Sequence, residues 1–366
     1  MKIIFLCGCL EPGQDGVGDY TRRLAGECIR QGHEAVMIAL HDRKLQEERK
    51  FSWQASEEQE DSDTKIKCFR WSEKVSWRDR QEELVKAINS EKPDLVSIQF
   101  VLYSYNEKGI PFHFLKVVKR VARSVNTRWH IMFHELWLGI AKESKFREKV
   151  IGCIQEKVVM SLIICLGRPK IHTQCLQYYY TLCKKNLDVY YLPLFSNFDY
   201  DSSQALPKEI SSALGSSFVT VHFGTFTNEI SVLEDQFKKA MDKAGEEKRN
   251  VFFVGFGKGG GGEQAALQLA EKVFGVEQVM ALGMVESTMI SALINRADLA
   301  ISRSNAVNWE KSGVVALFKA SNLEVLFAPV RNKSLIELTT DSRSASKLSE
   351  SRNIKRVCKK FIAEII

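Results

Sequence analysis

Short apolar runs alternate with amphipathic stretches along the chain, and the series occurs twice. Strand-like runs in the first half are Ile3–Cys7, Ala35–Leu40, Asp94–Phe100, Trp129–Phe133 and Leu162–Leu166. Those in the second half are Phe218–Phe223, Val251–Gly255, Val279–Leu282, Leu299–Ser302 and Leu323–Phe327. Runs that are apolar almost throughout are typical of parallel strands covered by helices on both faces. The pattern therefore predicts an α/β fold with two doubly wound domains, which the length of 366 residues also favours.

Polar segments mark the limits of the two predicted domains. A stretch with few apolar residues, 196–216, separates the two series and predicts a linker between a first domain (1–195) and a second (217–345). The tail, 346–366, predicts a basic amphipathic helix that packs back toward the first domain. The acidic stretch Gln46–Thr64 predicts a long loop.

Cysteine usage and hydropathy favour a cytoplasmic protein. The 9 cysteines are an odd number without metal-type spacing, so free thiols in a reducing compartment are expected, and no metal site. The longest apolar stretch, Val158–Leu166, is far shorter than the roughly 20 residues that span a bilayer. We predict a protein that at most touches the inner face of the membrane peripherally.

The net charge of +7 is uneven, because residues 1–195 hold 31 Lys+Arg against 25 Asp+Glu. A predicted helix over Phe114–Val125 carries four cations on one face: Lys116, Lys119, Arg120 and Arg123. That face is compatible with an anionic lipid surface, but we prefer to explain it as the solvated side of an outer helix, because the apolar side of the helix is needed for the sheet. The basic residues form no concentrated patch with exposed aromatics, so no nucleic-acid partner is expected.

Four segments at strand-to-helix junctions carry the functional signal, because ligands of open α/β sheets bind beyond the carboxyl ends of the strands. They are "CGCLEPGQDGVGDY" with Gly13, Gly16 and Gly18; "FHELW" with His134 and Glu135; "GFGKGGGGEQ" with Gly259 to Gly262; and "SRSNAVNWEKSGVV" with Glu310 and Gly313. Glycines let the backbone approach a ligand, and helix amino termini favour anions. In the fourth segment, Asn308 is predicted to cap a helix that contains Glu310 in its first turn.

In this order, the four segments resemble GT-B glycosyltransferases, especially the retaining enzymes of family 4. "DGVGDYTRRLAGECIRQGHEA" is similar to the amino-terminal glycine loop and first helix of that family, and "WEKSGVVAL" lies where its acidic donor motif is expected. The resemblance covers roughly the whole chain. It implies two Rossmann-like domains facing a cleft, a nucleotide sugar held mostly by the second domain, and an acceptor on the first.

The resemblance also implies roles for individual residues. Glu310 would bind hydroxyls of the donor sugar, and His134 would contact the sugar that is transferred. The other residues implied in donor binding are Gly16, Gly18, Gly224, Thr225, Lys258, Arg303, Ser312, Gly313 and Val314. Such an enzyme needs no metal or other cofactor, because helix dipoles and cations stabilise the departing diphosphate. The acceptor would be a glycan or a lipid-linked saccharide.

Three departures from the family pattern leave alternatives open. Phe318 occupies the position of a second Glu that binds ribose, "GTFTNEIS" lacks the usual Arg and Lys, and "ASNLEV" replaces a Gly-x-Pro. These losses favour a catalytically weak GT-B protein that serves as a binding subunit. A nucleotide-sugar epimerase on the same architecture is a third hypothesis. Inverting chemistry would need a base, for which His134, Asp15 and Asp19 are the candidates.

Overall fold

The chain divides into two compact units. A computed structural model describes residues 1–45, 52–141, 144–306, 309–329 and 351–366. The first unit comprises Met1–Pro193 and, from the end of the chain, Ile354–Ile366; the second begins at Leu194. The segment 196–216 belongs to the second unit, and most of the junction between the predicted second domain and the predicted tail lies outside the described residues.

The first unit is built on an eight-stranded sheet with the order β3-β4-β2-β1-β5-β6-β7-β8. Its strands are β1 Lys2–Cys7, β2 Glu34–Asp42, β3 Glu57–Asp61, β4 Thr64–Ser72, β5 Leu95–Phe100, β6 Arg128–Phe133, β7 Lys170–Thr173 and β8 Val189–Tyr191. Its helices before the second unit are α1 Gly16–Arg30, α2 Trp77–Glu91, α3 Phe112–Ser124, α4 Phe146–Cys165 and α5 Leu176–Cys183. Neighbouring strands are parallel except for β3 and β4.

The second unit is built on a five-stranded parallel sheet with the order β11-β10-β9-β12-β13. Its strands are β9 Phe218–Thr225, β10 Val251–Gly259, β11 Val279–Gly283, β12 Leu299–Asn305 and β13 Val325–Ala328. Its helices are α6 Lys208–Leu214, α7 Ile230–Glu246, α8 Glu263–Phe274, α9 Ser287–Arg296 and α10 Gly313–Ala320. Apolar clusters cover the sheet, so its strands read as continuous apolar runs. The two-domain α/β prediction is confirmed.

The predicted strand at Leu162–Leu166 is wrong, because these residues form the end of α4 and the turn after it. Val158, Val159, Leu162 and Ile163 face the core, while Ile164 is 64% exposed. Since α4 is apolar on its buried face and partly apolar outside, its last turns lack the alternation that identifies a helix. After β6 the sheet instead continues with the short parallel strands β7 and β8.

The predicted loop at Gln46–Thr64 is wrong in its second half, where β3 forms an antiparallel edge strand against β4. Alternating acidic residues suit a sheet edge, since charges there prevent pairing with another chain. Asp61 at its end is buried rather than solvated, and its carboxylate accepts a hydrogen bond from Arg30 Nη2 at 2.7 Å. Residues 46–51 lie outside the described part of the chain.

The last helix, α11 (Ile354–Ile365), packs against α1 of the first unit, which confirms the predicted return of the tail. Its apolar face is buried, and the Sγ atoms of Cys358 and Cys28 lie 3.5 Å apart. The Phe361 ring contacts Phe5, with 6.1 Å between the ring centroids. The first unit is therefore assembled from both ends of the chain.

No helix in the described part of the chain combines the length and the apolar character needed to cross a bilayer.

Candidate functional site

The strand order of the second unit predicts where a ligand would bind. Numbered along this sheet, the order is 3-2-1-4-5, so the connections change direction between β9 and β12. Ligands of open α/β sheets bind in the crevice beyond the carboxyl ends of the two strands at such a switch point. In this unit that crevice lies beyond Thr225 and Asn305, the last residues of β9 and β12.

A cavity of about 210 Å³ occupies this position. It is lined by His222, Phe223, Gly224, Thr225, Ile301, Ser302, Arg303, Ser304, Ser312 and Val314. Five of the predicted donor-binding residues therefore meet around one space: Gly224, Thr225, Arg303, Ser312 and Val314. We define this space as the switch-point cavity. Of the five lining residues that were not singled out from the sequence, three are polar, namely His222, Ser302 and Ser304, and their positions near strand ends were a usable signal.

Arg303 supplies a positive charge to the switch-point cavity. Its side chain is exposed and makes no ion pair with another residue in the described ranges. The neighbouring His222 is buried, and burial lowers the pKa of its imidazole to about 4, with a contribution from the charge of Arg303. His222 is thus neutral at pH 7, and Arg303 is the cation that lines this cavity.

The amino terminus of α10 opens at the same cavity. Ser312 is the residue before the helix, and its Oγ accepts a hydrogen bond from the amide of Val315 at 3.2 Å. Within the described ranges, no side chain caps the preceding amides of Gly313 and Val314. The first amides of a helix have no acceptor in an earlier turn and carry its positive dipole end. They form a site that favours an anion.

Glu310 lies just before α10 rather than inside its first turn. Residues Trp309–Lys311 form a separate 3₁₀ turn, and the α-helix begins at Gly313, so Ser312 caps it instead of the predicted Asn308. Asn308 itself lies outside the described residues. Glu310 is buried, with 2% of its surface exposed. Beside it, the ring of Trp309 packs against the guanidinium of Arg352, 4.2 Å from the ring centroid.

Phe318 belongs to the core of the second unit. It is fully buried in the apolar cluster that also contains Val221 and Leu317. A side chain in this position contributes packing and cannot hydrogen-bond a ribose. The family's second carboxylate therefore has no counterpart at this turn of α10.

The glycine run after β10 packs closely on neighbouring backbone. A Cβ atom on Gly262 would lie 2.5 Å from the carbonyl oxygen of Thr227, and one on Gly257 would lie 2.8 Å from the amide nitrogen of Gly224. Glycine is therefore required at these positions for the packing of β9 and β10 and of the loops after them, independently of any ligand. Lys258 is exposed on β10 and does not line the switch-point cavity.

Gly16 and Gly18 begin α1 in the first unit instead of lying in a loop. The Gly18 amide donates to Oδ1 of Asp15 at 2.7 Å, so a carboxylate already occupies this helix terminus. Burial raises the pKa of Asp15. A Cβ on Gly18 would lie 2.5 Å from the Cys9 carbonyl oxygen, so packing accounts for this glycine. Gly16 is exposed with no neighbouring atoms at its Cβ position.

His134 follows β6 in the first unit and is buried, with both ring nitrogens in hydrogen bonds. Nε2 lies 2.9 Å from Gln99 Oε1, and Nδ1 lies 3.4 Å from Gln174 Nε2. These partners define a neutral ring with its proton on Nε2. Burial lowers the pKa of His134 to about 3, so the ring stays neutral at pH 7.

A chain of hydrogen bonds links His134 to α11. Gln99 Nε2 donates to Ser97 Oγ at 2.8 Å, and Ser97 Oγ lies 2.8 Å from Nδ1 of His130. The chain continues over 2.8 Å from His130 Nε2 to Nδ1 of His172. It ends over 2.8 Å from His172 Nε2 to the carboxylate of Glu364. A carboxylate can only accept hydrogen bonds, so Glu364 fixes His172 Nε2 as a donor. This choice in turn fixes the donor and the acceptor of each earlier bond in the chain.

Comparison with known proteins yields structural matches alone: no protein-family model and no curated protein matches the sequence. One solved structure is α,α-trehalose 6-phosphate synthase from Burkholderia multivorans (TM-score 0.54, 10% identity, 100% of this chain and 92% of that chain). Another is HepE of Anabaena in complex with UDP (TM-score 0.53, 13% identity, 100% and 95%). A third is a Listeria monocytogenes protein assigned as UDP-N-acetylglucosamine 2-epimerase (TM-score 0.51, 12% identity, 99% and 95%). At such identities the matches concern the fold, and they span both Rossmann-like units. The chain has the GT-B fold.

Proposed function

We propose that the protein is a glycosyltransferase that moves a sugar from a nucleotide-sugar donor to a hydroxyl acceptor, such as a glycan or a lipid-linked saccharide. The observation that carries the proposal is the switch-point cavity, where Arg303 and the start of α10 converge; within the described residues, Arg303 has no ion pair and no side chain caps the first two amides of α10. A diphosphate is the ligand that this chemistry suits best, because it offers oxygens to both. HepE, which shares the fold, has been solved with UDP.

In this proposal the amides of Gly313 and Val314 and the guanidinium of Arg303 hold the diphosphate. They stabilise the negative charge that develops as the bond to the sugar breaks. Glu310 binds hydroxyls of the donor sugar. We propose retaining, metal-independent chemistry, in which the leaving phosphate accepts the proton of the acceptor. The low pKa of His134 argues against this ring as a base, so we assign it a positioning role in the first unit.

The test is a thermal-shift screen against UDP, GDP, ADP, TDP and CMP, followed by donor hydrolysis and transfer assays. A nucleotide present at 100 times its Kd stabilises the folded state by about 2.7 kcal/mol. We expect one diphosphate to raise the melting midpoint by several degrees and its sugar conjugate to be consumed. No shift with any nucleotide at millimolar concentration would contradict the proposal. In the Glu310→Gln variant, we expect nucleotide binding to survive and turnover to fall.

A binding subunit is the second candidate function, and the burial of Phe318 favours it. Without a ribose-binding carboxylate, the chain would bind a nucleotide weakly and leave catalysis to a partner. Nucleotide binding without hydrolysis or transfer would support this alternative. An epimerase would convert the donor sugar without any acceptor, which product analysis distinguishes from transfer.

Replacement of Arg303 by methionine is expected to weaken nucleoside diphosphate binding about 10- to 100-fold, because one charge-assisted contact contributes about 1.5–3 kcal/mol. Nucleoside binding should change little. Isothermal titration with the diphosphate and the nucleoside measures both effects. Lys238→Met, which removes an exposed cation from α7, is the matched control. Equal losses for the diphosphate and the nucleoside would contradict a phosphate contact.

A further inference from the structure

The basic charge of the protein is concentrated in the segment that contains α3 and α4. Residues 101–170 hold 13 Lys+Arg and 5 Asp+Glu, a net charge of +8 that exceeds the +7 of the whole chain. On α3 the cations Lys116, Lys119 and Arg123 are exposed and form no ion pair within the described ranges. The same holds for Lys157 on α4. These charges are therefore available to a partner.

The outer face of α4 adds exposed apolar side chains to this charge. Phe146 is 83% exposed, Val150 47% and Ile154 39%. Their spacing of four residues places them in one row along the helix, roughly 12 Å long. Ile164 is 64% exposed further along α4, and Phe112 is 58% exposed at the start of α3. Apolar side chains clustered on a surface in this way mark an interaction site more often than isolated ones do.

α3 packs against α4, and the exposed Lys157 lies three residues after Ile154, on the same face of α4 as the apolar row. The charges of Lys119 and Arg123 act on the Cys165 thiol, which places them at the carboxyl end of α4. The acids of α4 are engaged elsewhere: Glu148 accepts from the Lys145 amide at 3.0 Å, and Glu156 pairs with Lys185. Cations and exposed apolar side chains along two neighbouring helices complement an anionic membrane surface.

We propose that the outer face of α3 and α4 binds the protein peripherally to an anionic lipid bilayer. The apolar row enters the boundary between headgroups and acyl chains, while Lys157 and the cations of α3 contact the headgroups. A nucleic acid would use the cations but leave the apolar row without a partner. Membrane binding does not depend on the proposed function. If the protein is a glycosyltransferase, as proposed above, membrane binding indicates that its acceptor is a saccharide attached to a lipid.

The experiment is flotation of the full-length protein with phosphatidylcholine vesicles, with and without about 30% phosphatidylglycerol. We expect binding only to the anionic vesicles, with an affinity that falls as salt is raised. The variant Lys116→Gln/Lys119→Gln/Arg123→Gln should bind on the order of 100-fold more weakly, at about fivefold per cation. The control Lys208→Gln/Lys238→Gln/Lys272→Gln removes three exposed cations from the second unit and should bind like the wild type.

A second pair of variants tests the apolar row. Phe146→Ser/Val150→Ser/Ile154→Ser should weaken vesicle binding at least about tenfold. Met241→Ser/Val276→Ser/Met284→Ser removes exposed apolar side chains of the second unit and should not. Circular dichroism and melting midpoints must match the wild type in all four proteins. Since none of these residues lies at the switch-point cavity, nucleotide affinity should also be unchanged.

Three results would overturn the inference. One is equal binding to neutral and anionic vesicles, and another is wild-type vesicle binding by both the charge and the apolar-row variants. The third is a wild-type dimer in light scattering that the apolar-row variant makes monomeric, because a second copy would then cover this face. Failure of the nucleotide screen with intact vesicle binding would instead contradict the proposed function and leave the membrane surface standing.

Discussion

Replacement of Gly313 by proline is expected to weaken nucleoside diphosphate binding at least about tenfold while leaving the second unit folded. Gly313 is the first residue of α10, where proline is favoured because its missing N–H has no acceptor within the helix. The preceding Ser312 has φ −98° and ψ 110°, a conformation that residues before proline adopt readily. The substitution therefore removes one amide from the amino terminus of α10, beside the switch-point cavity, without a backbone conflict. Isothermal titration measures the loss, and the melting midpoint checks the fold.

The variant Gly313→Ala distinguishes the loss of the amide from the steric effect of a larger side chain. A Cβ at this position meets Asn197 at 3.6 Å, an ordinary van der Waals distance, so the helix accommodates alanine and the amide remains. We expect Gly313→Ala to retain most of the binding that Gly313→Pro loses. If the two variants lose affinity equally, a methyl group rather than the missing amide is the cause, and the phosphate contact is refuted.

Replacement of Gly152 by alanine is expected to destabilise the first unit by about 3 kcal/mol. A Cβ on Gly152 would lie 1.9 Å from the carbonyl oxygen of Leu138, so α4 and the segment after β6 must separate. That segment is also fastened to α4 by Gln155, whose Oε1 accepts from the Leu138 amide at 2.9 Å. Calorimetry should show a midpoint lower by roughly 6–12 °C, at 2–4 °C per kcal/mol for a unit of this size.

Gly245→Ala is the control for this substitution, because Gly245 lies in a helix with no atom near its Cβ position. Alanine is the better helix former, so this variant should stabilise the second unit by about 0.5–1 kcal/mol. A Gly152→Ala protein that melts at the wild-type midpoint would show that α4 can move away from Leu138 at little cost.

The sequence predicted β1, β2, β5 and β6 of the first sheet and all five strands of the second, but it missed β4, β7 and β8. The observed β1 and β9 begin within a residue of their predictions. Predictions were wrong where the polarity pattern of a segment does not match the secondary structure that it forms. The end of α4 is apolar at both its buried and its exposed positions, so the sequence does not show the helical period of about 3.6 residues there. The strand β3 lies at a sheet edge, where acidic residues prevent pairing with another chain. Judged by composition alone, such an acidic segment is predicted to be a loop.

The candidate site was predicted in part, for reasons of topology. Arg303 lies near the carboxyl end of β12 and Ser312 follows the strand, so one strand-to-helix junction predicted both. Thr225 joins them because β9 and β12 are neighbours at the switch point, which only the sheet order reveals. Gly18 shows the limit of the approach: a glycine near a helix start suggests ligand contact, but here its amide bonds Asp15 and its Cα packs on Cys9.

The return of α11 to the first unit has a consequence for biosynthesis. The ribosome makes β1 to β8 and then the whole second unit before α11 emerges, which takes on the order of 10 s or more at roughly 5–20 residues per second. During that interval Phe5 lacks its contact with Phe361, and the chain of hydrogen bonds lacks its terminal carboxylate. The nascent first unit therefore remains incomplete, and accessible to chaperones, until α11 has been synthesised.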